Sequence, residues 1–123
     1  MSAGSFVDTL SPESDSKFDL HNLIETTRDP SHTLALRLTT FLETFENLRL
    51  EMVHQSFKRR QRSFNQWMLR AGLEPGHRRY KETRKLLEES IPGDRAGYSA
   101  QVQDDDIAIV HHEGMFLLIG GRS

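Results

Sequence analysis

The chain contains no cysteine. That excludes disulfides and thiol nucleophiles, and it confines any zinc site to histidine and carboxylate ligands. No apolar run approaches the ~20 residues needed to span a bilayer, so no membrane contact is expected. Met1-Ser2-Ala3-Gly4 lacks the basic and apolar regions of a secretory signal, and residue 2 is not the glycine that myristoylation requires. An intracellular location, cytoplasmic or nuclear, is the resulting expectation.

Catalytic signatures are also missing. There is no Gly-x-Ser-x-Gly elbow, no glycine-rich loop to cradle a phosphate, and no pair of carboxylates whose spacing fixes their relative position. Asp104-Asp105-Asp106 reads as a solvated turn. His111-His112 sits in an extended stretch, where adjacent side chains point to opposite faces and do not share one ion. No enzyme, no cofactor and no metal are therefore expected.

Proline and glycine are scarce, at four and eight of 123 residues, and none lies between Pro30 and Gly72. Asp29 before Pro30 is a good N-cap followed by the one helical position where proline costs nothing. Gly72 suits a left-handed C′ residue, and Pro75 prevents continuation. Between these ends Leu34, Leu38, Phe41, Phe45, Leu48 and Met52 recur at helical steps. The stripe then slips by one residue through Val53, Phe57, Arg60, Phe64, Trp67 and Ala71. One long helix of roughly 60 Å is predicted, against about 35 Å across for a compact monomer of this length. Such a helix bends near Gln55-Ser56 or buries its stripe in an assembly. A homo-oligomer, first of all a dimer, is expected, with the six residues from Leu34 to Met52 as its interface.

The net charge of -2 hides a division. Residues 58–85 carry ten bases against two acids, while the segments on either side are each acidic by five charges. Lys58, Arg59, Arg60, Arg62 and Arg70 precede the Leu73–Gly76 turn, and Arg78, Arg79, Lys81, Arg84 and Lys85 follow it. Two helices side by side across that turn would present this charge to phosphates or to an acidic protein partner. Phe64, Trp67 and Tyr80 offer stacking surfaces among them, although their spacing fits core packing better.

The remaining segments are short. Residues 1–16 read as a flexible tail, followed by a single domain over residues 17–123. A short helix runs from Ser16 to about Thr26, and a basic third helix from about His77 to Ser90. Ile107–Val110 and Met115–Ile119 flank a turn at Glu113-Gly114, which predicts a hairpin at about 106–119. Gln101–Gln103 adds a third strand.

The sequence thus predicts a mainly α protein: a short helix, a long central amphipathic helix, a basic third helix and a small C-terminal β-hairpin. The expected function is non-enzymatic, an oligomeric regulatory protein that binds nucleic acid, plausibly RNA, with an economy resembling small viral accessory proteins. The alternative is an adaptor that binds an acidic partner or lays its long helix in a groove.

Overall fold

A single long strand organises the molecule. The structure, a computed structural model, describes residues 3–32 and 34–120. Its elements in chain order are β1 (Ala3–Leu10), α1 (Asp15–Arg28), α2 (Leu38–Asn47), β2 (Glu51–Ser63), α3 (Phe64–Arg70), α4 (Arg78–Ser90), β3 (Gln101–Gln103) and β4 (Asp106–Ile119). β4 pairs antiparallel with each of the other three strands. The sheet order is β1-β4-β2, with β3 also on β4.

Alternation along β4 assigns a separate core to each face. Ile107 and Ile109 point to one side, where Ile24 of α1, Phe64 and Met68 of α3 and Leu87 of α4 close over them. Phe116 points to the other side and meets Phe41 and Phe45 of α2, with Leu10 of β1. Helices therefore cover opposite faces at opposite ends of the central strand.

The expected mainly α fold is overturned. Residues 51–63 form β2 and pair with β4 from Glu51↔Ile119 to Ser63↔Ala108. β4 is rich in isoleucine and leucine, and its unpaired edge would leave backbone groups without partners. Satisfying that edge overrides the weak helical preference of a charged segment. The predicted long helix survives only as α2 and α3, on either side of β2. Gly114 does not turn the chain: it lies within β4, where a Cβ would stand 2.9 Å from the Phe116 ring. The hairpin instead joins β3 to β4 through Asp104, whose φ is 55°. Residues 3–10 of the predicted tail are the edge strand β1, and residues 1 and 2 lie outside the described residues.

Local signals were obeyed at Ser63 and Gly72 but not at Asp29, which ends α1 as its C-cap instead of starting a helix at Pro30. Ser63 caps α3, its hydroxyl accepting from the Gln66 N–H at 3.2 Å. Gly72 takes φ +75° just beyond that helix. β2 carries a bulge between Met52 and His54, so Val53 is an extra residue and the side-chain alternation switches there.

Candidate functional site

The basic residues do not form one surface. On β2, Arg60 is paired with His111 and Arg62 with Ile109, which places both on the α1 side of the sheet, whereas Arg59, opposite His112, faces the other way. Lys58, opposite Glu113, shares the side of Arg60. Arg70 closes α3, and the other five lie on α4. Several are already engaged: Arg60 with Glu113 at 3.0 Å, Arg78 with Glu82 at 3.5 Å and Arg84 with Glu88 at 2.7 Å. Arg79 donates to the Arg28 carbonyl at 3.1 Å. Phe64, Trp67 and Tyr80 are buried.

The six residues of the predicted interface are scattered as well. Phe41 and Phe45 are buried beneath α2, with Leu38 and Met52 packed beside them, while Leu34 and Leu48 are exposed.

A hollow of about 530 Å³ opens where β1 ends and α1 begins. Its apolar wall comes from Leu10, Pro12, Leu38 and Phe57, and its polar groups include Glu13, Lys17, His21, His112 and Glu113. Lys17 and His21 fall one helical turn apart, so α1 turns both to the same side. Gly97 holds the adjoining loop in place: it has φ +73°, and a Cβ there would lie 2.5 Å from Pro12 Cγ. Only glycine fits that approach. Burial, the charge of Arg59 and that of His111 all lower the pKa of His112, so its imidazole is neutral at neutral pH.

Behind this hollow lies a buried polar cluster. His111 Nε2 and Glu25 Oε1 are 3.1 Å apart. His21 Nε2 is 3.6 Å from the same oxygen. His21 Nδ1 lies 3.1 Å from the Ala96 carbonyl, which can only accept, so the proton of neutral His21 sits on Nδ1. Tyr98 stacks on His21 with ring centroids 4.4 Å apart. Burial depresses the His21 pKa more than Glu25 raises it. For Glu25, burial acts upward, but the hydrogen bond and charge of His111, with the charges of His21 and His32, hold the carboxylate below its usual value. Burial pushes the Tyr98 phenol well up.

Sequence reasoning missed this assembly because it joins residues far apart in the chain. The apolar spacing of α1 identified its buried face, yet nothing local shows that Glu25 on that face meets a histidine from β4.

No family model matches the chain, and no curated protein matches it in sequence. Among the solved structures that share its fold are two Bacillus proteins. The BH2331 protein of Bacillus halodurans C-125, provisionally classed as a methyltransferase, is 17% identical with a TM-score of 0.86. The YcgJ protein of Bacillus subtilis is 18% identical with a TM-score of 0.78. Both matches take in 98% of this chain and 52% of the other, so the chain spans about half the length of each. At such identities the likeness is one of fold.

That shared fold, with its mixed helices and antiparallel sheet, overturns the expected mainly α, non-enzymatic nucleic-acid binder. The expected absence of enzymatic function and the viral, RNA-binding regulatory reading give way with it. The dispersal of the basic residues over both sheet faces and α4 removes the groove on which that reading depended. Among the described residues, no helix is long and apolar enough to cross a membrane.

Proposed function

We propose that this chain forms the acceptor-binding part of a methyltransferase-like enzyme, with the hollow between β1, α1 and β4 receiving a small, partly apolar compound bearing an O–H or N–H group. The observation that carries the reading is the placement of the neutral imidazole of His112 in an apolar-walled hollow, within a fold shared with half of the Bacillus halodurans protein. Phe57 and Leu38 supply area against which a flat ring packs. His112 accepts the acceptor's proton, which raises the nucleophilicity of its oxygen or nitrogen.

The residues described here do not fit a nucleoside-type methyl donor such as S-adenosylmethionine. Nucleotide crevices in α/β sheets form at the carboxyl ends of parallel strands, beside a glycine-rich turn. This sheet is wholly antiparallel. Gly97 and Gly114 are filled by Pro12, Phe116 and Leu10 rather than open to a ligand.

Titration of the protein with small phenols and aromatic amines, followed by ligand-observed NMR, tests the reading. Saturable binding that weakens about tenfold in Phe57→Ala is expected, since that change removes ring contact worth roughly 1–2 kcal/mol. S-adenosylmethionine alone should give no saturable response. If no acceptor saturates, or if Phe57→Ala leaves binding unchanged, the reading fails.

A further inference from the structure

The outer edge of β1 is bare. Among the described residues no strand pairs with it, and a Cβ built on Gly4 would meet nothing within 4 Å. Leu36 touches only the end of this edge, its carbonyl accepting the Ser11 N–H at 3.0 Å. Edge strands are ordinarily protected by proline, lysine or a bulge. From Gly4 to Leu10 there is none of these, and Asp8 is the one charge.

An apolar strip runs up to this edge. Val7 pairs with Met115 and Ser5 with Leu117, on the face that α1, α3 and α4 cover only at the other end of β4. Val7, Met115 and Leu117 remain 52%, 40% and 40% exposed. An unprotected strand and a contiguous apolar strip together mark a pairing surface.

We infer that a second copy of this chain occupies the surface, with β1 pairing antiparallel to its symmetry mate about a two-fold axis at Val7. This occupant is favoured because the strand is complementary to itself in that register. Val7 meets Val7 of the copy, Ser5 meets Thr9, and Phe6 meets Asp8, so the two aspartates are kept apart. The strip from Met115 through Val7 then continues into its mate across one sheet. This interface differs from the Leu34–Met52 set and does not depend on the methyltransferase reading.

Sedimentation of the 123-residue protein should give a dimer, with dissociation at least about tenfold easier in Val7→Lys, where two like charges would face each other. Leu48→Lys, at an exposed position far from β1 in sequence, should leave the dimer intact and serves as the control. Because the chain has no cysteine, Val7→Cys under mild oxidation should cross-link the two copies, whereas Ser5→Cys should not. Ser5→Lys provides a second disrupting variant should Val7→Lys fail to fold. A monomer at high micromolar concentration overturns the inference. So does a dimer that persists in both lysine variants, or one that Leu48→Lys dissociates instead.

Discussion

His111 Nε2 and Glu25 Oε1 lie 3.1 Å apart in the interior, joining the central strand to α1. The pair sits behind the wall of the hollow that contains His21 and His112. It therefore couples the position of α1, and with it Lys17 and His21, to the sheet.

Glu25→Ala should be among the most damaging single changes. It leaves His111 Nε2 without its partner in a dry site, and orphaning a buried polar group in this way costs about 1–3 kcal/mol. Urea denaturation of the variant beside the parent measures the loss. Glu25→Gln keeps an acceptor for His111 and should lose less; equal damage from both would show that the carboxylate charge, and not the hydrogen bond, is what matters.

Stability should fall on acidification in two stages. The His21 pKa in the folded protein is depressed below 6.5, so the unfolded chain binds the proton more readily. Stability from His21 is complete above that value and is lost as pH falls through the lowered folded pKa. Glu25 is likewise depressed, below 4.5, and adds a second loss at lower pH. Denaturation midpoints measured between pH 7.5 and pH 3 should show both limbs, and His21→Asn should reduce the first to the part contributed by His112. A profile flat down to about pH 4 would contradict the assignment.

Asp106→Ala should cost about 1–3 kcal/mol. The carboxylate accepts from the Asn65 N–H at 3.0 Å, the Ile107 N–H at 2.8 Å and the Ser63 hydroxyl, tying the start of α3 to the start of β4. Burial raises the Asp106 pKa, but these bonds and the nearby Arg84 outweigh it and hold the carboxyl low. Asp106→Asn retains acceptor capacity at one oxygen and should fall between the two. Thermal unfolding followed by circular dichroism ranks them.

Gly97→Ala should loosen the hollow without abolishing the fold. A methyl group there meets Pro12 at 2.5 Å and is strained by the positive φ, a combined cost of about 1–3 kcal/mol. Because Pro12 lines the hollow, acceptor affinity should drop along with the melting temperature. Gly76→Ala, where a Cβ would meet nothing within 4 Å, is the matched control. Equal behaviour of the two variants would remove Gly97 from the argument.

The limits of the third helix were legible, while the start of the central helix at Asp29-Pro30 and the strand pairing were not. The basic third helix was expected from His77 to Ser90 and is found at Arg78–Ser90, with His77 as its cap. β2 was read as helix for a specific reason. Val53 is an extra residue in the strand, so Met52 and Phe57 share a face although they are five positions apart. Period-two alternation is thereby erased, and the remaining spacing imitates a helical stripe. β2 is also an edge strand and largely exposed, so it lacks the apolar pattern of a buried strand. The hollow was hidden for a related reason. Leu10, His21, Phe57 and His112 come from four elements, and only the pairing of β1 and β2 on β4 brings them together.

The placement of β4 at the centre of the sheet also governs the order of assembly. Ala3 and Glu51 both take Ile119 as partner, so neither β1 nor β2 has its neighbour until nearly the whole described chain has been synthesised. The helices can form early, but the two faces they cover cannot. Folding must wait for contacts of long sequence separation, which are slow to close. During that wait the bare β1 edge and the apolar side chains of α2 are exposed together, making this the period when the nascent chain most needs protection from other chains.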